Sequence, residues 1–125
     1  MINMGRDFFK IQKNIDSDKD GYQFTYYPGN NHEQNIGCSI AYDSYKEAKE
    51  ALEQFRSFVK INNIKDMHSP YITIVKLSDT RYQFEYRNEQ GDLLYRYFKV
   101  YSRKYNCNGG IASIYNHIDA ELIED

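Results

Sequence analysis

Few residues in this chain could carry chemistry, and their spacing limits what each can do. Asp16-Ser17-Asp18-Lys19-Asp20-Gly21 opens like a calcium loop, with oxygen ligands at alternate positions and a glycine for the sharp turn. The position that should bring the bidentate carboxylate is Tyr27, and the flanks read as strands where such a loop needs helices. The stretch is therefore read as a polar hairpin turn, with a calcium site as the minor alternative. His32 beside Glu33 has the form of an acid–base pair, but it lies in a polar loop with no second ligand close in sequence. His68 and His117 are equally isolated, and no phosphate-cradling pattern surrounds Gly109-Gly110. With no nucleophile–base spacing, metal-ligand cluster or cofactor fingerprint, the chain is expected not to be an enzyme: no catalytic residue, no metal and no cofactor.

The elements that position these residues come in two similar sets. Tyr22-Gln23-Phe24-Thr25-Tyr26 returns as Tyr82-Gln83-Phe84-Glu85-Tyr86. Before it, Phe8 to Lys13 matches Tyr71 to Lys76; after it, Tyr42 matches Tyr101 and Ala51 matches Gly110. The offset changes at turns, where insertions are tolerated. Period-two alternation predicts strands over 8–14, 22–27, 36–42, 71–77, 82–87 and 93–101. Ser44-Tyr45-Lys46-Glu47 has the capping-box form, and Ala48, Leu52, Phe55 and Val59 form one helical stripe behind it. Ser102 is expected to cap a second helix whose stripe is Cys107, Gly110 or Ile111, Ile114 and Ile118. Gly110 is expected to let that helix lie close on the sheet, and the acidic tail 119–125 is expected either to fray or to dock.

Within the second set, Tyr101-Ser102-Arg103-Lys104 followed by Gly110-Ile111-Ala112-Ser113-Ile114 resembles the YegP-like family of small bacterial proteins, the DUF1508 repeat. In the first set Lys13, Tyr22, Phe24 and Tyr42 fit, while 51–55 departs from the pattern. The resemblance implies a β-β-β-α unit in tandem and almost nothing about activity. The expected architecture is α+β: tandem β-β-β-α repeats over 7–63 and 70–118 in a single domain 1–125, forming an antiparallel sheet with two helices packed on one face. A half of this size is marginal alone, so the two are expected to share a core.

A formal net charge of −2 and a pI near 5.9 argue against electrostatic binding of nucleic acid or membrane. No apolar run is long enough to span a bilayer, and the start lacks a secretory core, so the protein is expected in the cytoplasm with Cys38 and Cys107 reduced. The chain carries 13 Tyr and 7 Phe but no Trp. In the third strand of the second set, Leu94, Arg96, Phe98 and Val100 alternate with Tyr95, Tyr97, Lys99 and Tyr101. Large apolar bodies on both faces mark a candidate surface: Tyr95, Tyr97 and Tyr101 with Arg87, Lys99, Arg103 and Lys104. A binding or scaffolding module acting through a protein partner or a homodimer is the expected function. Single-stranded nucleic acid stacking on these rings is the alternative. Gln23, Thr25, Gln83, Glu85 and Arg87 are expected on the sheet's open face; the competing arrangement has Tyr95 and Tyr97 inward on a curled sheet.

Overall fold

The computed structural model describes residues 7–13, 21–29 and 37–124. Asp16, Asp18, Asp20, His32 and Glu33 lie outside the described residues. The chain runs β1 (Phe8–Lys13), β2 (Tyr22–Tyr27), β3 (Gly37–Ser39), α1 (Tyr45–Ile61), β4 (Ile72–Ser78), β5 (Arg81–Arg87), β6 (Leu93–Tyr101), a 3-10 turn (Lys104–Asn106), α2 (Cys107–Asn116) and β7 (Leu122–Ile123). The architecture is α+β, as expected. The single antiparallel sheet is not: there are two sheets, ordered β2-β1-β7 and β3-β6-β5-β4. The β1–β7 pair is parallel and the others are antiparallel.

The division falls inside the first set of strands. β6 pairs with β5, but β3 leaves β2 and pairs with β6 instead, with Gly37 opposite Tyr97 and Ser39 opposite Tyr95. Among the described residues only the Tyr22–Tyr42 bridge keeps the expected β2 contact in main-chain form. Elsewhere side chains fill the gap. The Phe24 N–H donates to Ser39 Oγ at 3.0 Å, and the Tyr26 N–H to the Tyr95 hydroxyl at 2.9 Å. In the other direction Gln23 Nε2 donates to the Ser39 carbonyl at 2.7 Å, and the Thr25 hydroxyl to the Gly37 carbonyl. Gln23 and Thr25 are consequently buried, which corrects their expected place on an open face.

Helix α1 forms as its sequence implies. The Ser44 hydroxyl accepts the Glu47 N–H at 3.1 Å, and Ala48, Leu52, Phe55 and Val59 are buried. Asn63 closes the helix with φ of 49°, in the left-handed region that asparagine tolerates, and Ile64 N–H returns to the Val59 carbonyl. Ser102 does not cap α2. The 3-10 turn intervenes, and its main chain supplies the partners: Asn106 N–H bonds the Arg103 carbonyl, and Cys107 N–H bonds those of Lys104 and Tyr105.

One cluster of buried side chains draws on both halves. Phe24 and Phe55 stack on Tyr95 at 5.8 and 5.6 Å, Phe55 meets Tyr86 edge-on at 5.1 Å, and Phe84 stacks on Tyr97 at 4.6 Å. The acidic tail docks. Phe9 N–H bonds the Glu121 carbonyl, and α1 holds the segment through Arg56 to the Ala120 carbonyl, Lys60 to Asp119, and Lys49 and Tyr45 to Glu124.

Gly110 is the closest approach of α2 to the sheet. A Cβ built there would lie 2.6 Å from the Tyr101 hydroxyl and 3.0 Å from ring carbons of Phe84 and Tyr97. Gly110→Ala should therefore destabilise the fold by about 1–3 kcal/mol, although alanine favours helices. Urea unfolding checks this; a variant as stable as the parent would mean the rings yield freely.

Candidate functional site

Cross-strand register places side chains on the sheet faces. Phe84 and Tyr86 point inward, so their partners Ile74 and Ile72 do too, and Thr73 and Val75 of β4 face out; the register shifts at Leu77. In β6, Tyr97 pairs with Phe84 and Tyr95 with Tyr86, which turns both inward and leaves Arg96 facing out beside Glu85. Tyr95 is 0% exposed and Tyr97 3%. The proposed tyrosine surface is thereby corrected: these two rings are core, and they offer neither a partner contact nor a platform for stacking bases. Glu85 is buried as well, despite its outward direction.

A shift of register between Tyr86 and Arg87 makes Leu94 the extra residue of β6. Such a bulge reverses the alternation. Leu93 pairs with Arg87 on the outer face, and Leu94 turns to pack on the core. Of the remaining sequence candidates, Lys99, Arg103 and Lys104 are exposed at the far end of β6, and Tyr101 is partly buried beneath Lys99 Nζ, 5.2 Å from its ring centre. Arg87 stands at the opposite end of that strand. The seven candidates do not converge.

What does converge is a polar row across the outer face. Gln12 pairs with Gln23, Gln23 Nε2 lies 3.3 Å from Cys38 Sγ, Cys38 pairs with Arg96, and Arg96 with Glu85. Arg87 sets Nε and Nη2 on Glu85 Oε1, both at 2.9 Å. Arg96 Nε reaches Oε2 only at 3.6 Å. Two guanidinium groups thus face one carboxylate, leaving a local excess of positive charge on Arg96. Beside it opens a cleft of about 410 Å³ lined by Gln23, Cys38, Ser39, Ile40, Ala41, Leu93 and Arg96. Sequence reasoning missed it, because its walls come from three strands of the two sheets, and only β3 and β6 among them pair with each other.

A second group sits where β1 meets α2. The Tyr26 hydroxyl donates to Asp7 Oδ2, the Ser113 hydroxyl lies 2.8 Å from the Tyr26 oxygen, and Gly29 N–H donates to Asp7 Oδ1 at 2.7 Å. His117 Nδ1 is 2.8 Å from the Ser113 carbonyl and 2.9 Å from Asp7 Oδ2. Both neighbours accept, so Nδ1 carries the proton. Serine, histidine and aspartate are present, yet the serine hydroxyl is engaged by tyrosine and not by the imidazole. No relay from base to nucleophile exists in this geometry.

Burial pushes the hydroxyls of Tyr26, Tyr86, Tyr95 and Tyr97 well above the ordinary tyrosine range. Cys107 is also raised, by burial, and Cys38 and Cys107 are buried and not joined in a disulfide. Among the described residues no group of histidine, cysteine and carboxylate side chains could hold a metal ion, and no helix is long and apolar enough to cross a membrane.

The fold has solved counterparts. The solution NMR structure of YegP from E. coli, a protein of unknown function, superposes with a TM-score of 0.69 at 18% identity, over 100% of this chain and 96% of that one. That of UPF0339 protein SO3888 from Shewanella oneidensis gives 0.67 at 14% identity, over 93% and 88%. The chain therefore has the YegP-like fold to which its motifs pointed. No family model and no curated protein matches the chain.

Two predictions follow from the buried hydroxyls. Tyr95→Phe strips the Tyr26 N–H of its acceptor and should cost about 1–3 kcal/mol. Tyr86→Phe removes a hydroxyl with no hydrogen-bond partner, so its urea midpoint should match or exceed the parent's. Stability should also fall above about pH 10, the pKa of tyrosine in the unfolded chain. Each raised tyrosine is neutral when folded and ionises when unfolded, so its contribution is intact below that pH and declines by up to about 1.4 kcal/mol per pH unit above it. Phenolate absorbance should rise together with loss of structure; full ionisation of a folded chain near pH 10 would contradict it.

Proposed function

We propose that the protein is a non-catalytic binding module of the cytoplasm, built from two copies of one β-β-β-α unit, and that it self-associates through the outer face and free edge of β4. The observation that carries this reading is a set of exposed apolar side chains near a strand edge that no other described strand pairs with. Leu77 near the end of β4 and Val100 near the end of β6 are 46% and 40% exposed, and Val75 and Phe98 on the same two strands are partly exposed. Among the described residues α1 and α2 pack mainly on β1, β2 and β5 rather than on β4.

β4 ends its sheet. The Arg87 N–H bonds the Tyr71 carbonyl, so the alternation of antiparallel pairing directs Thr73 and Val75 towards β5. The main-chain groups of Ile74 and Lys76 then point to the open edge, where a second β4 could add antiparallel to the first. Lys76, ion-paired with Asp79 at 3.1 Å, is the only charge along the strand. Two buried cysteines that form no disulfide agree with a reducing compartment. The commitment of Ser113 to Tyr26, away from His117, supports a role without catalysis.

Sedimentation velocity over about 10 µM to about 1 mM tests the reading, on a scale suited to a small interface. The parent should shift from monomer towards dimer, and the double variant Leu77→Lys/Val100→Lys should remain monomeric. A parent that stays monomeric throughout, or a variant that associates equally, overturns it.

A further inference from the structure

We infer that the cleft beside Arg96 is a binding site for a small organic monoanion: a carboxylate head on a short apolar body. Its volume of about 410 Å³ falls within the range of small-molecule sites, roughly 300–1,000 Å³. The lining divides by chemistry. Ile40, Ala41 and Leu93 are apolar, with Ile40 41% exposed, and Arg96 brings the one charged group.

That charge is incompletely neutralised. Glu85 accepts Arg87 at 2.9 Å through Oε1, and its Oε2 lies 3.6 Å from Arg96 Nε, beyond hydrogen-bond length. The Arg96 side chain is 46% exposed, whereas that of Glu85 is 10% exposed behind it. A planar carboxylate entering the cleft can take the guanidinium in the two-point geometry that Glu85 does not complete. One excess positive charge with a carboxylate behind it favours a monoanion over a phosphate dianion. Strand pairing to Cys38 and Glu85 fixes the Arg96 backbone at the cleft, so only its side chain need adjust to a ligand.

The site stands beside β3, across β5 and β6 from the β4 edge, and it does not depend on self-association. Its test uses the full chain and the monomeric Leu77→Lys/Val100→Lys variant side by side, so failure of one proposal leaves the other readable. The probe is hexanoate, followed by amide NMR at constant ionic strength; acetate and neutral hexanamide are the comparisons. Hexanoate should move the amides of Cys38, Ser39, Ala41 and Leu93 saturably, with a dissociation constant of about 0.1–1 mM for a ligand this small. Hexanamide and acetate should each bind at least about tenfold more weakly, as should hexanoate with Arg96→Gln. Ile40→Glu, which places a like charge at the mouth without touching Arg96, should weaken hexanoate similarly and leave the spectrum folded. Shifts that do not saturate, equal binding of hexanamide, equal binding of acetate, or full retention in Arg96→Gln each overturn the inference.

Discussion

Buried main-chain N–H and C=O groups must find partners, and between β2 and β3 they cannot find one another. The whole structure turns on how that gap is closed. Ser39 and Tyr95 accept the Phe24 and Tyr26 N–H groups, while Gln23 and Thr25 donate to the Ser39 and Gly37 carbonyls. Two donors and two acceptors are satisfied across the seam by four side chains. Each comes from a residue whose burial would be costly without its bond. Gly37 makes the exchange possible. A Cβ there would fall 2.6 Å from the Arg96 carbonyl and 2.7 Å from the Tyr95 ring. Without that side chain, β3 can press against β6 while the Tyr95 ring passes beside it to reach Tyr26.

The seam also accounts for the outer face. Because β3 leaves β2 for β6, Cys38 comes to lie beside Arg96 and across from Gln23. The cleft opens where a continuous ladder would have brought the strands together. Its lining combines one residue of β2, two of β3 and two of β6, together with Ile40 and Ala41 just beyond β3. In the second half, β5 and β6 pair directly, and no comparable opening separates them. The two sets carry similar strands, yet this cleft opens only at the divided one, with Leu93 and Arg96 of the other set completing its wall.

This also marks what the sequence can and cannot reveal. The α1 stripe was legible because a helix buries residues at fixed spacing within one segment, and Ala48, Leu52, Phe55 and Val59 need only their own periodicity. β2 was half legible. Phe24 and Tyr26 are inward as alternation requires, but Gln23 and Thr25 are buried too, since their partners belong to a strand that alternation cannot locate. In β6 the extra residue Leu94 reverses the faces at one end and a second register shift disturbs them between Tyr97 and Tyr101, and nothing in the local pattern announces either. The Asp7, Tyr26, Ser113 and His117 group left only the four-residue spacing of Ser113 and His117 as a trace. Its other members are brought in by the packing of β1 and β2 against α2.

The abundance of tyrosine takes its meaning from the same constraint. A tyrosine-rich strand invites a reading as an interface, because the ring suits half-exposed surfaces. Here the hydroxyl acts inside. Tyr95 carries its oxygen to a main-chain N–H on the neighbouring sheet, and Tyr26 spans from β2 to Asp7 and to Ser113 on α2. Phenylalanine would fill the same volume and leave those donors and acceptors stranded in an apolar interior. Tyr86 shows the converse, a buried ring whose hydroxyl meets no partner and whose packing against Phe55 and Phe84 phenylalanine could supply. Two of these rings therefore serve as long polar links through an aromatic core, joining layers whose backbones stand too far apart to bond. A sheet split in this way needs such links, and the contacts left to the surface fall to the aliphatic and arginine side chains of the opposite face.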